Sequence, residues 1–108
     1  MAAPSPDAVF GALADPTRRA LIESLAGRPT ATASTLAREL PITRQAVAKH
    51  LAVLRSARLV SAARVGRETR YTFEPRPLAD AARWIAQVGG EWDERLGDLE
   101  RLLASRRA

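Results

Sequence analysis

The stretch from residue 35 to residue 54 constrains the fold of this chain more than any other. Leu36 and Leu40 lie on one face of a short helix that Pro41 ends, and Thr43 is placed to cap a second helix. That helix carries an apolar stripe at positions 47, 51 and 54. Two short amphipathic helices joined by a tight turn are typical of a helix-turn-helix, which buries one helix face and frees the other for the DNA major groove.

The free face of the second helix carries polar and small side chains. They are Arg44, Gln45, Ala48, Lys49 and Ala52. Arginine can pair with the guanine edge and glutamine with the adenine edge, while threonine and lysine suit phosphate or a base edge. The sequence therefore predicts that Thr43, Arg44, Gln45 and Lys49 contact DNA, and it leaves open which of them touch bases.

His50 is the only histidine of the chain and lies beside the apolar stripe. We expect it to contact a phosphate and count it among the DNA-binding residues. It could instead be a boundary residue whose hydrogen bonds are satisfied within the fold. A metal ligand is the least favoured alternative, because a lone imidazole makes a weak metal site.

A β-hairpin is expected directly after these helices. Two strand-like runs, 59–65 and 68–73, flank Gly66 and Arg67, and the second alternates in polarity. A hairpin at this place is the wing of a winged helix-turn-helix. We predict DNA contacts for Arg64, Arg67 and Arg70, with Arg67 at the tip placed to enter the minor groove or to hold a phosphate.

The charge distribution agrees with a nucleic-acid partner. The chain has a formal net charge of +5. Residues 43–70 hold seven basic groups against one acid, whereas residues 77–103 hold three basic groups against six acids. The positive field is therefore concentrated on the helix-turn-helix and the hairpin.

The remainder of the chain predicts a mainly α fold of about five helices with the two-stranded wing. Residues 1–6 should form a disordered tail, and residues 7–104 a single domain. The last helix, 77–104, repeats apolar residues every seven positions at Leu78, Ile85, Trp92 and Leu99. Such a seam indicates a partner helix, although packing on the chain's own core is an alternative. Trp84 and Trp92 could be interface residues or could line a small-molecule pocket between subunits.

Several function classes find no support in the sequence. There is no cysteine, which excludes disulfides and thiolate metal sites. No apolar run approaches the roughly 20 residues that span a bilayer, and the first residues lack the pattern of a signal peptide. We expect a cytoplasmic protein without membrane contact and without a cofactor. No nucleophile with a base and no phosphate-binding glycine loop is present, so we expect no enzymatic activity.

The chain resembles the ArsR/SmtB family of small bacterial winged-helix repressors. The resemblance rests on the segments 13–22, 43–54 and 65–71, and the segment 84–96 is similar to the subgroup that does not sense metals. The resemblance implies a homodimer in which the first and last helices form the interface. The expected interface residues are Val9, Phe10, Leu13, Leu78, Ile85, Trp92, Leu96 and Leu99. No metal site is expected, because the third helix lacks thiols and the last helix has acids but no histidine.

These observations predict a sequence-specific DNA-binding transcriptional regulator. We expect a homodimeric repressor of a bacterial operon that binds an inverted-repeat operator in double-stranded DNA. An unidentified small-molecule effector would relieve repression. The alternatives are a winged-helix module that docks an acidic protein partner and, less favoured, a metal-responsive repressor.

Overall fold

The computed structural model describes residues 6–107, with side chains described through residue 105. In that range five helices and a two-stranded antiparallel sheet follow one another. They are α1 (Pro6–Leu13), α2 (Pro16–Ala26), α3 (Ala33–Glu39), α4 (Arg44–Ser56), β1 (Val60–Val65), β2 (Glu68–Phe73) and α5 (Arg76–Arg107). This is the predicted winged helix-turn-helix. Most of the expected tail, residues 1–5, lies outside the described residues, and Pro6 already begins α1.

A network of side chains fixes the corner between α1 and α2. Asp15 caps α2, and its carboxylate accepts hydrogen bonds from the backbone N–H groups of Thr17 at 2.7 Å and Arg18 at 3.1 Å. The Arg18 guanidinium donates to the carbonyls of Ala12 at 2.5 Å and Gly11 at 3.0 Å, near the end of α1. The last carbonyls of a helix have no hydrogen-bond partners within that helix. In α1 they accept hydrogen bonds from the Arg18 side chain of α2.

Threonine caps set the start of both helices in the helix-turn-helix. The Thr32 hydroxyl accepts from Thr35 N at 3.2 Å, and the Thr43 hydroxyl accepts from Ala46 N at 3.1 Å. Glu39 at the end of α3 accepts from the Ser24 hydroxyl at 2.7 Å and the Arg28 guanidinium at 2.9 Å. These two donors, the Ser24 hydroxyl first, lower the pKa of Glu39. The two hydrogen bonds join α2 and the segment that follows it to the helix-turn-helix.

The core lies between α1, α2, α3, α4 and the base of the hairpin. On α4 the predicted stripe is buried, and Val47, Leu51 and Leu54 are at most 1% exposed. The other fully buried large side chains are Val9, Leu21, Leu25, Leu36 and Leu59. Val9 is 2% exposed in this core, so the expectation that it faces a second subunit does not hold. α1 turns Val9 and Ala12 inward against its own chain.

The wing is a regular hairpin with its turn at the tip. Val60 pairs with Phe73 at the base, and Val65 pairs with Glu68 at the tip. Gly66 has a φ of +62°, the left-handed conformation that glycine adopts without strain. Ala31, before α3, pairs with Tyr71 through two backbone hydrogen bonds of 2.8 and 3.0 Å. This bridge ties the wing to the helix-turn-helix.

The last helix touches the rest of the chain only near its start, among the described residues. α5 begins at Arg76, slightly before the expected start, because proline is well tolerated in a first helical turn and Pro77 does not end the element. Leu78 is half-buried and Ala81 is 4% exposed, and beyond Ala81 nearly every residue is exposed. With 32 residues the helix is about 48 Å long. No described helix is long and apolar enough to cross a membrane.

Candidate nucleic-acid interface

The outer face of α4 presents the predicted DNA-reading residues together. Arg44, Gln45 and Lys49 are exposed, and so are Ala48 and Ala52 between and beyond them. The Thr43 cap fixes where the helix begins, and the buried stripe fixes how it is rotated. The orientation of the polar face relative to the core is therefore fixed. The small side chains of Ala48 and Ala52 leave room for DNA to approach this face closely.

Thr43 and His50 lie at the margins of this face. The Thr43 side chain is exposed while its hydroxyl oxygen accepts the capping bond. His50 is half-buried, and its charge is one of the smaller influences that lower the pKa of Asp15. The largest influence on that pKa is the hydrogen bond from Arg18 N, which is opposed by partial desolvation. His50 keeps an exposed portion, so both the phosphate contact and the boundary role stay predictions.

The three wing arginines differ in their surroundings. Arg64 and Arg67 are exposed, and Arg64 Nε donates to the Gly66 carbonyl at 3.4 Å. Arg70 is half-buried and donates to the Thr30 hydroxyl at 3.0 Å. It also forms an ion pair with Glu68 at 3.1 Å. Arg70 is therefore held against the body of the protein, whereas Arg64 and Arg67 extend from the hairpin.

A groove of about 560 Å³ separates α3 and the start of α4 from the wing. We call it the arginine cleft. Of the described residues lining it, five are arginines and one is a glutamate, and three hydroxyl residues of the α3 region complete one wall. The lining residues are Thr32, Ala33, Ser34, Thr35, Arg38, Arg44, Ala48, Arg64, Arg67, Glu68, Thr69, Arg70 and Tyr71.

The cleft contains residues that the sequence did not single out. Arg38 and the hydroxyl residues of α3 join the predicted Arg44, Arg64 and Arg67 in one groove. The basic side chain on α3 was a visible signal, but its place opposite the wing depends on the Ala31–Tyr71 bridge. That bridge connects segments far apart in sequence, so local patterns could not reveal it.

The expected dimer residues fall into two groups. Phe10, Ile85, Trp92, Leu96 and Leu99 are between 36% and 59% exposed. Leu13 and Leu78 are half-buried against the core, and Val9 belongs to the core itself. Trp84, which the sequence offered as an interface or pocket residue, is exposed as well, and so are Val88, Leu102 and Leu103 on the same helix, at 45–53% exposure.

We define the α5 apolar face by its eight exposed large side chains. They are Trp84, Ile85, Val88, Trp92, Leu96, Leu99, Leu102 and Leu103. Within the described residues no three histidine or acidic side chains converge as a metal site would require.

Comparisons with known proteins agree with this geometry. Residues 13–61 match the helix-turn-helix domain family. The chain is 49% identical over 75 residues to the HTH-type transcriptional regulator Rv2034 of Mycobacterium tuberculosis, covering 69% of each protein. It is 31% identical over 88 residues to the transcriptional repressor SdpR of Bacillus subtilis, covering 82% of this chain and 97% of SdpR.

Solved structures give the same result. An ArsR-like transcriptional regulator from Rhodococcus sp. RHA1 superposes with a TM-score of 0.82 and 42% identity, covering 90% of this chain and 91% of that one. A second ArsR family transcriptional regulator, RHA00566, superposes with a TM-score of 0.74 and 30% identity, covering 81% and 94%. The relatives are regulators and not enzymes. The chain is therefore a DNA-binding transcriptional regulator that belongs to the ArsR/SmtB family of winged helix-turn-helix proteins.

Proposed function

We propose that this regulator is a homodimeric repressor that binds an inverted-repeat operator. The observation that carries the proposal is the exposed Arg44, Gln45 and Lys49 face of α4 beside the extended arginines of the wing. A helix of this kind can read base edges in the major groove. The wing then lies over the neighbouring sugar–phosphate backbone or minor groove.

The α5 apolar face supports the dimer. Its eight large side chains are 43–59% exposed in the single chain, and monomeric proteins rarely leave such an extended apolar surface in water. A second copy is the occupant we propose, because a two-fold dimer requires one patch that is complementary to itself. Ile85, Trp92 and Leu99 are spaced seven residues apart, so in such a dimer each copy presents the same apolar ridge to the other.

The dimer would set the spacing of the DNA contacts. Two recognition helices related by a two-fold axis bind half-sites about one helical turn, or roughly 34 Å, apart. Arg67 at each wing tip would add a sequence-independent contact. Replacing Arg67 with alanine should weaken binding to all duplexes alike and lower the salt dependence by about one unit of slope per subunit.

Repression follows from where such a dimer binds. Two relatives are named as transcriptional repressors, SdpR and an SmtB homolog of Synechocystis. Occupancy of an operator within a promoter excludes RNA polymerase, and an unidentified effector would shift the dimer to a form with low DNA affinity. A repressor of bacterial operons would act in the cytoplasm, because that is where its operator DNA lies.

We propose that the effector is not a metal ion. The chain has no cysteine and a single histidine, so thiolate and multi-imidazole sites are not available to it. The acids of α5 are more simply explained as its solvated side. Operator affinity should be the same with added zinc and with a chelator, and a change of affinity in either condition would overturn this part of the proposal.

Selection of preferred sites from random duplex DNA at physiological salt tests the main proposal. We expect an enriched sequence with two-fold symmetry and half-sites one helical turn apart. Enrichment of a single half-site would contradict the dimeric arrangement. Absence of any preference would contradict operator recognition and favour a module that docks an acidic partner.

A further inference from the structure

The arginine cleft has more basic residues than the recognition face alone accounts for. Five arginines and one glutamate among the described residues line it, which leaves a net charge of +4. The single glutamate, Glu68, is paired with Arg70. The positive charge that remains available comes from both walls, with Arg38 on one side and Arg64 and Arg67 on the other.

Arg38 is positioned by the cap of its own helix. Its Nη2 donates to the Thr35 hydroxyl oxygen at 3.3 Å, and the Thr32 hydroxyl donates to the same oxygen at 3.1 Å. The Thr35 hydroxyl therefore accepts two hydrogen bonds and keeps its own proton to donate. A guanidinium carries five N–H donors, so those beyond the bond to Thr35 can serve an acceptor in the cleft.

These donors suit a phosphodiester better than a base. A phosphate presents charged oxygens that accept two parallel hydrogen bonds from a guanidinium, and hydroxyl donors complete such sites. The cleft is also continuous with the start of α4 through Arg44 and Ala48. A DNA strand that leaves the major groove beside α4 and passes beneath the wing must cross this groove, because the first helix of the motif lies across the backbone.

We propose that Arg38, with the Thr35 hydroxyl, binds a backbone phosphate of the DNA strand that passes through the arginine cleft. Arg38 thereby positions the recognition helix without reading sequence. This inference rests on the proposed DNA-binding function and adds a contact from α3 to those of α4 and the wing. It also assigns the cleft to one strand of duplex DNA.

The test compares Arg38→Ala with Arg76→Ala in the full chain. Both variants lose one positive charge, but Arg76 is exposed at the start of α5 and does not line the cleft. Affinity for the selected operator and for random duplex is measured across salt concentrations. Arg38→Ala should weaken both equally and reduce the slope of log affinity against log salt by about 1 per subunit. Arg76→Ala should leave that slope unchanged.

Replacing single phosphates of the DNA with an uncharged analogue locates the phosphate that Arg38 contacts. Methylphosphonate substitution is scanned along one strand of a half-site, and one or two positions should weaken binding of the unmodified protein. At those positions Arg38→Ala should bind the modified duplex as tightly as the unmodified duplex. Arg38→Lys keeps the charge and should therefore still lose part of its affinity when the phosphate is neutralised.

The outcomes separate this inference from the function on which it rests. If the unmodified protein does not bind duplex DNA, the proposed function fails. If it binds with the expected salt dependence but Arg38→Ala behaves like Arg76→Ala, only the role of Arg38 fails. Additive losses at every methylphosphonate position would also overturn that role. Circular dichroism of each variant is the check that its fold is intact.

Discussion

The ring of Phe10 lies against the indole of Trp84, with 5.7 Å between the ring centroids and 59° between the ring planes. This tilted contact joins α1 to α5 at the point where α5 leaves the body of the protein. Phe10 is 36% exposed and Trp84 is 47% exposed, so the exposed apolar surface extends from the α5 apolar face onto α1. The proposed dimer surface therefore includes Phe10 of α1 as well as α5.

Replacing Trp92 with aspartate should dissociate the dimer. Trp92 is 59% exposed in the middle of α5, and each dimer would bury two new carboxylates. Burial of unpaired charge is costly, so we expect dimerisation to weaken by roughly 100-fold or more. Sedimentation velocity at micromolar concentration measures the change.

Gln87→Asp is the matched control for this variant. It introduces the same residue into the same helix, about 140° around the helix axis from Trp92. The control should remain dimeric. Equal dissociation of both variants would show that α5 responds to charge in general and that the apolar face is not the interface.

Much of the fold could be predicted because its signals are local. Pro16 and Gly27 bound α2, threonine caps begin α3 and α4, and a glycine turn separates two strand-like runs. Each of these is a short-range preference that tertiary packing does not oppose. The helix-turn-helix and the exposed face of α4 were accordingly predicted correctly.

The features that were missed depend on contacts between distant segments. Val9 was expected at a subunit interface because the resemblance implies that α1 takes part in one, but the resemblance does not show which side of α1 meets its own core. The DNA contact expected of Arg70 stays a prediction, but the sequence could not show that its bond to Thr30, 40 residues away in the chain, holds it against the body. Arg38 lines the cleft only because the wing folds back toward α3.

Replacing Gln45 with alanine should change the sequence preference at one position of each half-site. A glutamine that pairs with adenine contributes about 1–3 kcal/mol of discrimination against the wrong base. Repeating the random-DNA selection with the variant measures the loss. Gln87→Ala, at the other glutamine of the chain, should leave the preference as it is. An unaltered preference in Gln45→Ala would remove this residue from base reading.

Replacing Leu51 with alanine should destabilise the fold by about 2–5 kcal/mol, because it opens a cavity beneath the recognition helix. Leu51 is 1% exposed. Val53 on the same helix is 41% exposed, and Val53→Ala should change the unfolding free energy by only about 0.5 kcal/mol. Urea unfolding at one fixed protein concentration checks both, since association contributes to stability. A small effect at Leu51 would contradict its place in the core.

The Asp15 cap should make stability depend on pH. Backbone hydrogen bonds, first from Arg18 N, lower the pKa of Asp15 from its ordinary value of 3.8. A carboxylate with a lowered pKa in the folded state contributes stability that is complete above pH 3.8 and is lost as the pH falls through the folded pKa.

Asp15→Asn isolates this contribution, because asparagine can still cap a helix but does not ionise. We expect the variant to be less stable than the parent chain at neutral pH, with the difference shrinking below pH 3.8. Unfolding free energies measured at a series of pH values give the comparison. Parallel pH profiles for the two proteins would show that the Asp15 charge is not coupled to folding.

Sedimentation equilibrium of the chain, alone and with its selected duplex, tests the central claim most directly. The account predicts a dimer at micromolar concentration and a complex of two chains on one duplex. Single chains in free solution together with one chain per duplex would contradict it.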